Sequence, residues 1–302
     1  MLERYAAQVR LLIEILPAVA AENVFALKGG TAINLFYRDL PRLSVDLDLT
    51  FLPVQDRDTS LAGINTAMDR IAEKGGVGTI RAFRVAGGGG GATRVLFQRG
   101  SVTVKVETSP VTRGVVFEPA RRRVSLSVED GFGFAETAVV SFEDLYGGKI
   151  VAALDRQHPR DLFDIKQLYE NEGLTDDLFR VFLVYLASSS RPPHELLNPN
   201  LRDLETVFAK EFEGMTVFPV SVGELEAARG NLIQDIRARL SGRTADYLIG
   251  LADGQPDFDL IGLPEVSRLP AIRWKLQNIA ALMQQDPAKH REQMSALEQI
   301  LL

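Results

Sequence analysis

Near residue 141 a mixture of strand-like and helical apolar runs gives way to helical spacing alone, and this change constrains the architecture more than any single motif. Before it, Val24 to Leu27, Ser44 to Phe51, Arg94 to Phe97 and Ser101 to Thr108 are short runs of alternating or clustered β-formers separated by turn residues. After it, helical spacing with capping signals continues to the end, broken only by proline-containing connections near Pro192-Pro193 and Pro264. Ser141 followed by Asp144 resembles a capping box, and Pro159 suits the first turn of a helix with Leu162, Ile165, Leu168 and Tyr169 on its apolar side. Two helices therefore meet near His158. The expected organisation is an α/β or α+β unit over residues 1–140, then a mainly α-helical unit over 141–302, a division that suits a chain of 302 residues.

Composition removes several classes. With 46% hydrophobic and 25% charged residues the chain matches soluble globular proteins, which excludes a disordered or collagen-like polymer. It has no cysteine, so disulfide frameworks and thiolate metal sites are impossible, and a reducing compartment such as the cytoplasm is the expected setting. Leu11-Leu12-Ile13 is flanked by Glu3, Arg4, Arg10 and Glu14, so the first twenty residues read as an amphipathic helix and not as a signal peptide. No apolar run approaches the roughly 20 residues of a bilayer helix, and no membrane partner is expected. A net charge of −6 argues against a generally basic nucleic-acid coat but leaves local basic patches open. The five glycines Gly87 to Gly91 lack a following Gly-Lys-Ser/Thr and read as a hairpin tip, not a phosphate loop.

Two carboxylates stand out. In the strictly alternating segment Ser44-Val45-Asp46-Leu47-Asp48-Leu49, a strand puts Ser44, Asp46 and Asp48 on one face and the apolar residues on the other. Two such charges about 4 Å apart repel by about 4 kcal/mol at an effective dielectric of about 20, so a buried pair requires a proton or a cation. Mg²⁺, or Mn²⁺, fits: hard oxygen ligands on a strand leave coordination positions for water and phosphate. A solvated strand face is the plain alternative. Upstream, Val24-Phe25-Ala26-Leu27-Lys28 runs into Gly29-Gly30-Thr31 and then a helical stretch, where backbone amides and the Thr31 hydroxyl are candidates for triphosphate oxygens; an ordinary strand-to-helix turn is the alternative. Further along, Ser101 to Thr108 alternates Val102, Val104 and Val106 with Thr103, Lys105 and Glu107, which puts Glu107 forward as a third carboxylate.

Together, Gly29-Gly30-Thr31 followed by Arg42-x-Ser44-x-Asp46-x-Asp48 resembles the DNA polymerase β-like nucleotidyltransferases, and more narrowly the AbiEii/AbiGii toxin family, which includes the mycobacterial MenT toxins. The resemblance covers about the first 170 residues. It implies an α+β fold with an α/β nucleotidyltransferase core and mixed sheet, followed by a helical domain that contributes to the nucleotide and acceptor cleft. It further implies that Asp46, Asp48 and Glu107 bind Mg²⁺, with the Glu107 strand beside the Asp46 strand, and that a helical lysine, Lys149, contacts the nucleotide. Asp161, with Asp164 as fallback, completes the catalytic set. Gly29, Gly30, Thr31, Arg42 and Ser44 are the expected nucleotide-binding residues, Arg42 pairing with phosphate and Ser44 also being a candidate phosphorylation site.

The implied activity is NMP transfer from an NTP to RNA, with the tRNA 3′ end as acceptor and translation blocked as a result. The implied context is a type IV-like toxin–antitoxin or abortive-infection system with a cognate antitoxin encoded alongside. Transfer to a protein or a small molecule, a non-catalytic nucleotide-binding regulator and a purely structural module are the competing readings. Arg121-Arg122-Arg123, grouped with Arg94 and Arg99, is either an RNA-backbone contact or a solvated loop. His158, His194 and His290 show no metal-ligand spacing and are given surface or turn roles. Trp274 is expected in the core.

Overall fold

The computed structural model describes residues 3–87 and 91–302. The chain forms two compact units, one of residues 1–141 with 213–219, the other of residues 142–212 with 220–302.

The first unit is built on a seven-stranded mixed sheet. Its strands are β1 (Phe25–Lys28), β2 (Asp46–Phe51), β3 (Arg81–Gly87), β4 (Gly91–Arg99), β5 (Val102–Thr108), β6 (Ala120–Arg123) and β7 (Glu136–Val139), in the order β3-β4-β5-β2-β1-β7-β6. The helices are α1 (Glu3–Ala20), α2 (Gly29–Ala32), continued by a π-helical turn over Ile33–Tyr37, α3 (Arg57–Gly75) and α4 (Leu126–Phe132). Strand β2 runs antiparallel to β1 and parallel to β5, so the strands carrying Asp46 and Glu107 are neighbours, as expected. Gly87 and Gly91 are register partners, while residues 88–90 of the anticipated hairpin tip lie outside the described residues.

Alternation explains why this sheet has two different faces. Leu47, Leu49, Val95, Phe97, Val104 and Val106 occupy one face and are buried. Helix α1 packs on β5 and α3 on β4. Gly75, the last residue of α3, leaves room for the Phe97 ring, which a Cβ there would approach to 2.6 Å. Six buried aliphatic and aromatic side chains contribute on the order of 10 kcal/mol of gross burial. Asp46, Asp48, Lys105 and Glu107, one residue out of phase, face the opposite way.

The second unit is helical: α5 (Phe142–Arg156), α6 (Pro159–Asn171), α7 (Asp176–Ala187), α8 (Pro193–Leu197), α9 (Glu205–Glu211), α10 (Val222–Arg237), α11 (Arg243–Ala252), α12 (Pro270–Gln285) and α13 (Pro287–Leu301). As read from Pro159, α6 begins there, with His158 as its N-cap accepting a hydrogen bond from the Arg160 amide. Helix α5 starts directly after Ser141, and α10 opens with a full capping box between Ser221 and Glu224. No helix among the described residues is long and apolar enough to cross a membrane.

Two expectations need correction. Trp274 is not core: it sits on α12 with 56% of its surface exposed, because Ala271, Ile272, Lys275 and Ile279 form the buried side of that helix. Arg121, Arg122 and Arg123 do not share a surface with Arg94 and Arg99. They form the edge strand β6, separated from β4 by four intervening strands, and Arg94 and Arg99 are ion-paired to Glu107 and Glu14. Arg121 pairs with Glu136, and Arg122 stacks over the Tyr37 ring at 4.1 Å.

Candidate active site

The apolar strand β1 ends at Lys28, and the chain turns at once through Gly29, whose φ of +78° suits glycine. A side chain there is also excluded by space, since a Cβ would lie 2.5 Å from Asp48 Oδ2. At Gly30 a Cβ would meet Arg42 Nη2 at 2.7 Å and Ser44 Oγ at 2.9 Å. The glycine pair thus admits three of the chain's own side chains to the backbone.

Thr31 is fully buried, and its hydroxyl donates to the backbone carbonyl of Asp46. A hydroxyl has one proton, so the 3.0 Å contact with Ser44 is completed by the Ser44 hydroxyl donating to Thr31. Thr31 therefore ties the glycine turn to the first residue of β2. Arg42 is 2% exposed, with Nη1 donating to the Leu43 carbonyl. The strand-like segment around Arg42 is held by residues 213–219: Arg42 bridges Thr216, Leu43 N donates to Met215 O at 3.0 Å, and Val217 N donates to Pro41 O at 2.9 Å. Thr31 and Arg42, both expected at the phosphates, are buried and hydrogen-bonded to backbone carbonyls of Asp46 and Leu43.

The sheet register assembles a row of charges. Lys28 on β1 is opposite Asp48 on β2, Asp48 is opposite Glu107 on β5, and Glu107 is opposite Arg94 on β4. Cross-strand partners share a face, so the row reads cation, carboxylate, carboxylate, cation. Asp46, two residues before Asp48, is opposite Lys105. Lys105 Nζ lies 2.7 Å from Glu107 Oε1 and 3.5 Å from Asp46 Oδ2, and Arg94 Nε donates to Glu107 Oε2 at 2.9 Å. Lys28, Asp48, Arg94, Glu107, Thr93 and Ser109 line an open cleft of about 370 Å³.

Electrostatics separates the two central carboxylates. Burial raises the Asp48 pKa above the ordinary aspartate value, and Glu107 adds to this while Lys28 opposes it. Burial would also raise Glu107, but the Lys105 hydrogen bond and charge, with Arg94, outweigh it and hold Glu107 below its ordinary value. Lys28 is lowered by desolvation, against the pull of Asp48 and Glu107. Lys28, which lines the cleft, and Lys105, which pairs with Glu107 and Asp46 on the same sheet face, carry no motif. The available signal was positional: Lys28 immediately precedes the glycine pair, and Lys105 shares the alternating face of Glu107.

In the second unit, Lys149, Asp161 and Asp164 come together with Arg156. Lys149 Nζ is 2.8 Å from Asp161 Oδ1 and 3.0 Å from Asp164 Oδ2, and Arg156 Nη2 is 2.9 Å from Asp161 Oδ2. The shared helical face read for Lys149 and Arg156 is present, and both cations point at Asp161. Lys149 is only 8% exposed. The corner between α5 and α6 is fixed by Gln157, whose φ of +51° is unusual for a residue with a side chain. Its amide donates to Asn200 O and accepts from the Arg202 amide and Arg229.

A search of curated proteins gave no match. Among solved structures, MenT4, the nucleotidyltransferase toxin Rv2826c from Mycobacterium tuberculosis H37Rv, is similar with a TM-score of 0.58 at 15% identity, covering 93% of this chain and 92% of that one. At that identity the likeness establishes a shared fold. The profile of the family described as nucleotidyl transferase AbiEii toxin, Type IV TA system, matches residues 10–278. The chain therefore belongs to the AbiEii nucleotidyltransferase toxin family.

Proposed function

We propose that the protein transfers an NMP from an NTP to the 3′ end of tRNA, and that Asp46, Asp48 and Glu107 carry the Mg²⁺ that this reaction uses. The observation that carries the reading is the register of β2 and β5, which sets Asp48 directly beside Glu107 on the face that also bears Asp46. The donor set suits a hard cation, being oxygen only and seated on rigid strands. Among the described residues no three acidic or imidazole groups already surround one point. The Lys105 ammonium lies in the gap between Asp46 and Glu107, so the position is one that a cation fits. When bound, Mg²⁺ supplies Lewis-acid stabilisation of the transferring phosphoryl group and of the departing pyrophosphate; Mn²⁺ serves the same ligands.

In the reaction an acceptor hydroxyl oxygen bonds to the α-phosphorus and the α–β anhydride bond breaks. Pyrophosphate leaves, and the hydroxyl proton passes to a base, for which Glu107 is the candidate. Gly29 and Gly30 let Asp48, Arg42 and Ser44 approach the backbone, while Thr31 and Arg42 fix the turn that shapes the nucleotide site. Lys149 and Asp161 are assigned the roles of the family's helical lysine and downstream aspartate. In this reading the biological effect is a block of translation, relieved by a cognate antitoxin and useful in phage defence; the family description supports the toxin–antitoxin context.

The acceptor is tested by incubating purified protein with total tRNA, Mg²⁺ and each α-labelled NTP, beside the Asp48→Ala variant. Label in tRNA with wild type alone supports the proposal. Label in protein, or in an added small-molecule acceptor such as an aminoglycoside, in place of tRNA moves the activity to that acceptor class, and binding of NTP without any transfer identifies a regulator.

A further inference from the structure

Resting on the proposed metal-dependent reading, we infer that Lys105 is a displaceable counter-cation that fills the metal position of the unloaded site and is drawn off by the triphosphate, so that metal and nucleotide load together. Three observations lead there. Lys105 Nζ bridges the two flanking carboxylates, Asp46 at 3.5 Å and Glu107 at 2.7 Å, a gap that a metal bound to both also has to use. The cross-strand cluster is formally neutral as it stands, with Asp46, Asp48 and Glu107 matched by Lys28, Lys105 and Arg94. A bare divalent ion therefore meets no net negative charge and competes with an ammonium already in place. Finally, the two lysines differ in freedom. Lys28 sits opposite Asp48, its Nζ 3.5 Å from Thr112 Oγ1. The Lys105 side chain is 28% exposed and carries four rotatable carbons, so it can swing without disturbing the sheet.

A triphosphate changes this balance by bringing negative charge with the metal. Lys105, and with it Arg94, exchanges a carboxylate partner for phosphate oxygens, and Asp46 and Glu107 turn from ammonium to metal. No bond is made or broken in this exchange. By linkage, nucleotide then tightens metal binding and metal tightens nucleotide binding by the same factor.

The test is binding of Mn²⁺ to the full-length protein without nucleotide, followed by the electron paramagnetic resonance signal of free Mn²⁺. Five proteins are compared: wild type, Lys105→Met, Lys105→Gln, Arg94→Met and the double variant Lys105→Met/Asp48→Asn, with thermal melting to confirm that each is folded. The expected result is weak binding by wild type and at least about tenfold tighter binding by Lys105→Met, within the usual range of coupling. A smaller gain is expected in Arg94→Met, and loss of the gain in the double variant. Lys105→Gln is expected to shift in the same direction as Lys105→Met. Equal gains in Lys105→Met and Arg94→Met overturn the assignment, because they reflect general charge and not occupation of the gap. No gain in Lys105→Met also overturns it, while tRNA labelling still decides the proposed function independently. Undiminished binding in the double variant shows that the metal does not use Asp48, and then the metal assignment fails together with the inference.

Discussion

Gly29 shows how tightly the site is specified at the level of single residues. Its positive φ and the 2.5 Å approach of Asp48 Oδ2 to its Cβ position act in the same direction. Gly29→Ala is therefore expected to cost at least about 1 kcal/mol from the backbone alone, and more from displacement of the carboxylate. A lowered denaturation midpoint together with lost transfer activity checks this, and an unchanged midpoint would show that the turn can relax. At the other end of the chain, Lys275 is buried with Nζ donating to the carbonyls of Ser189 and Arg191, and desolvation lowers its pKa to about 8. In the unfolded chain the group keeps its ordinary value near 10.5 and so holds its proton to higher pH. Between about pH 8 and about pH 10.5 the unfolded state binds more protons, and stability rises with pH, by up to about 3 kcal/mol from this group. Melting curves over this window are expected to show wild type gaining relative to Lys275→Met; parallel curves would mean that Lys275 is charged throughout. The glycines, Asp46, Asp48 and Glu107 were legible in the sequence because short spacings on alternating strands are local. The burial of Thr31 and Arg42 was not, since it depends on what packs beneath the turn. Lys275 gave no sign, being an ordinary lysine until α12 is folded.

Among elements, register is what converts motifs into a site. The alternation around Asp46 and around Glu107 predicted each strand and each face, and the helix starts at Pro159 and after Ser141 followed from capping chemistry. Which strands become neighbours is non-local, so the row from Lys28 through Asp48 and Glu107 to Arg94 appears only once β1, β2, β5 and β4 are side by side. Trp274 was misread because one aromatic on a helix carries no phase of its own; the buried side of α12 is set by Ile272, Lys275 and Ile279. The segment 213–219 lies in sequence between helices and carries no motif, yet it belongs to the first unit and pairs with the chain around Arg42. Val217 is well exposed, and its amide donates to Pro41 O, so Val217→Pro removes a backbone hydrogen bond with little loss of side-chain packing. The expected outcome is faster hydrogen exchange at Leu43, whose amide is bonded to Met215 O, and weaker nucleotide binding, with Val217→Ala near wild type. Equal behaviour of the two variants would show that the bridge does not position Arg42.

For the molecule as a whole, the change of apolar pattern near residue 141 corresponds to the passage from a mixed sheet to a helical unit, and the family match over residues 10–278 spans both. Net charge said little, since charges of both signs gather in one balanced cluster on the sheet and another around Lys149, Asp161 and Asp164. The three sheet carboxylates are proposed to perform nucleotidyl transfer. The most direct test is pyrophosphate release from each NTP in the presence of Mg²⁺ and tRNA, by wild type, Asp48→Asn and Glu107→Gln proteins matched for melting temperature. Release by wild type with at least one NTP and a fall of at least about a hundredfold in both variants are expected; equal release by all three would rule out transfer by these carboxylates.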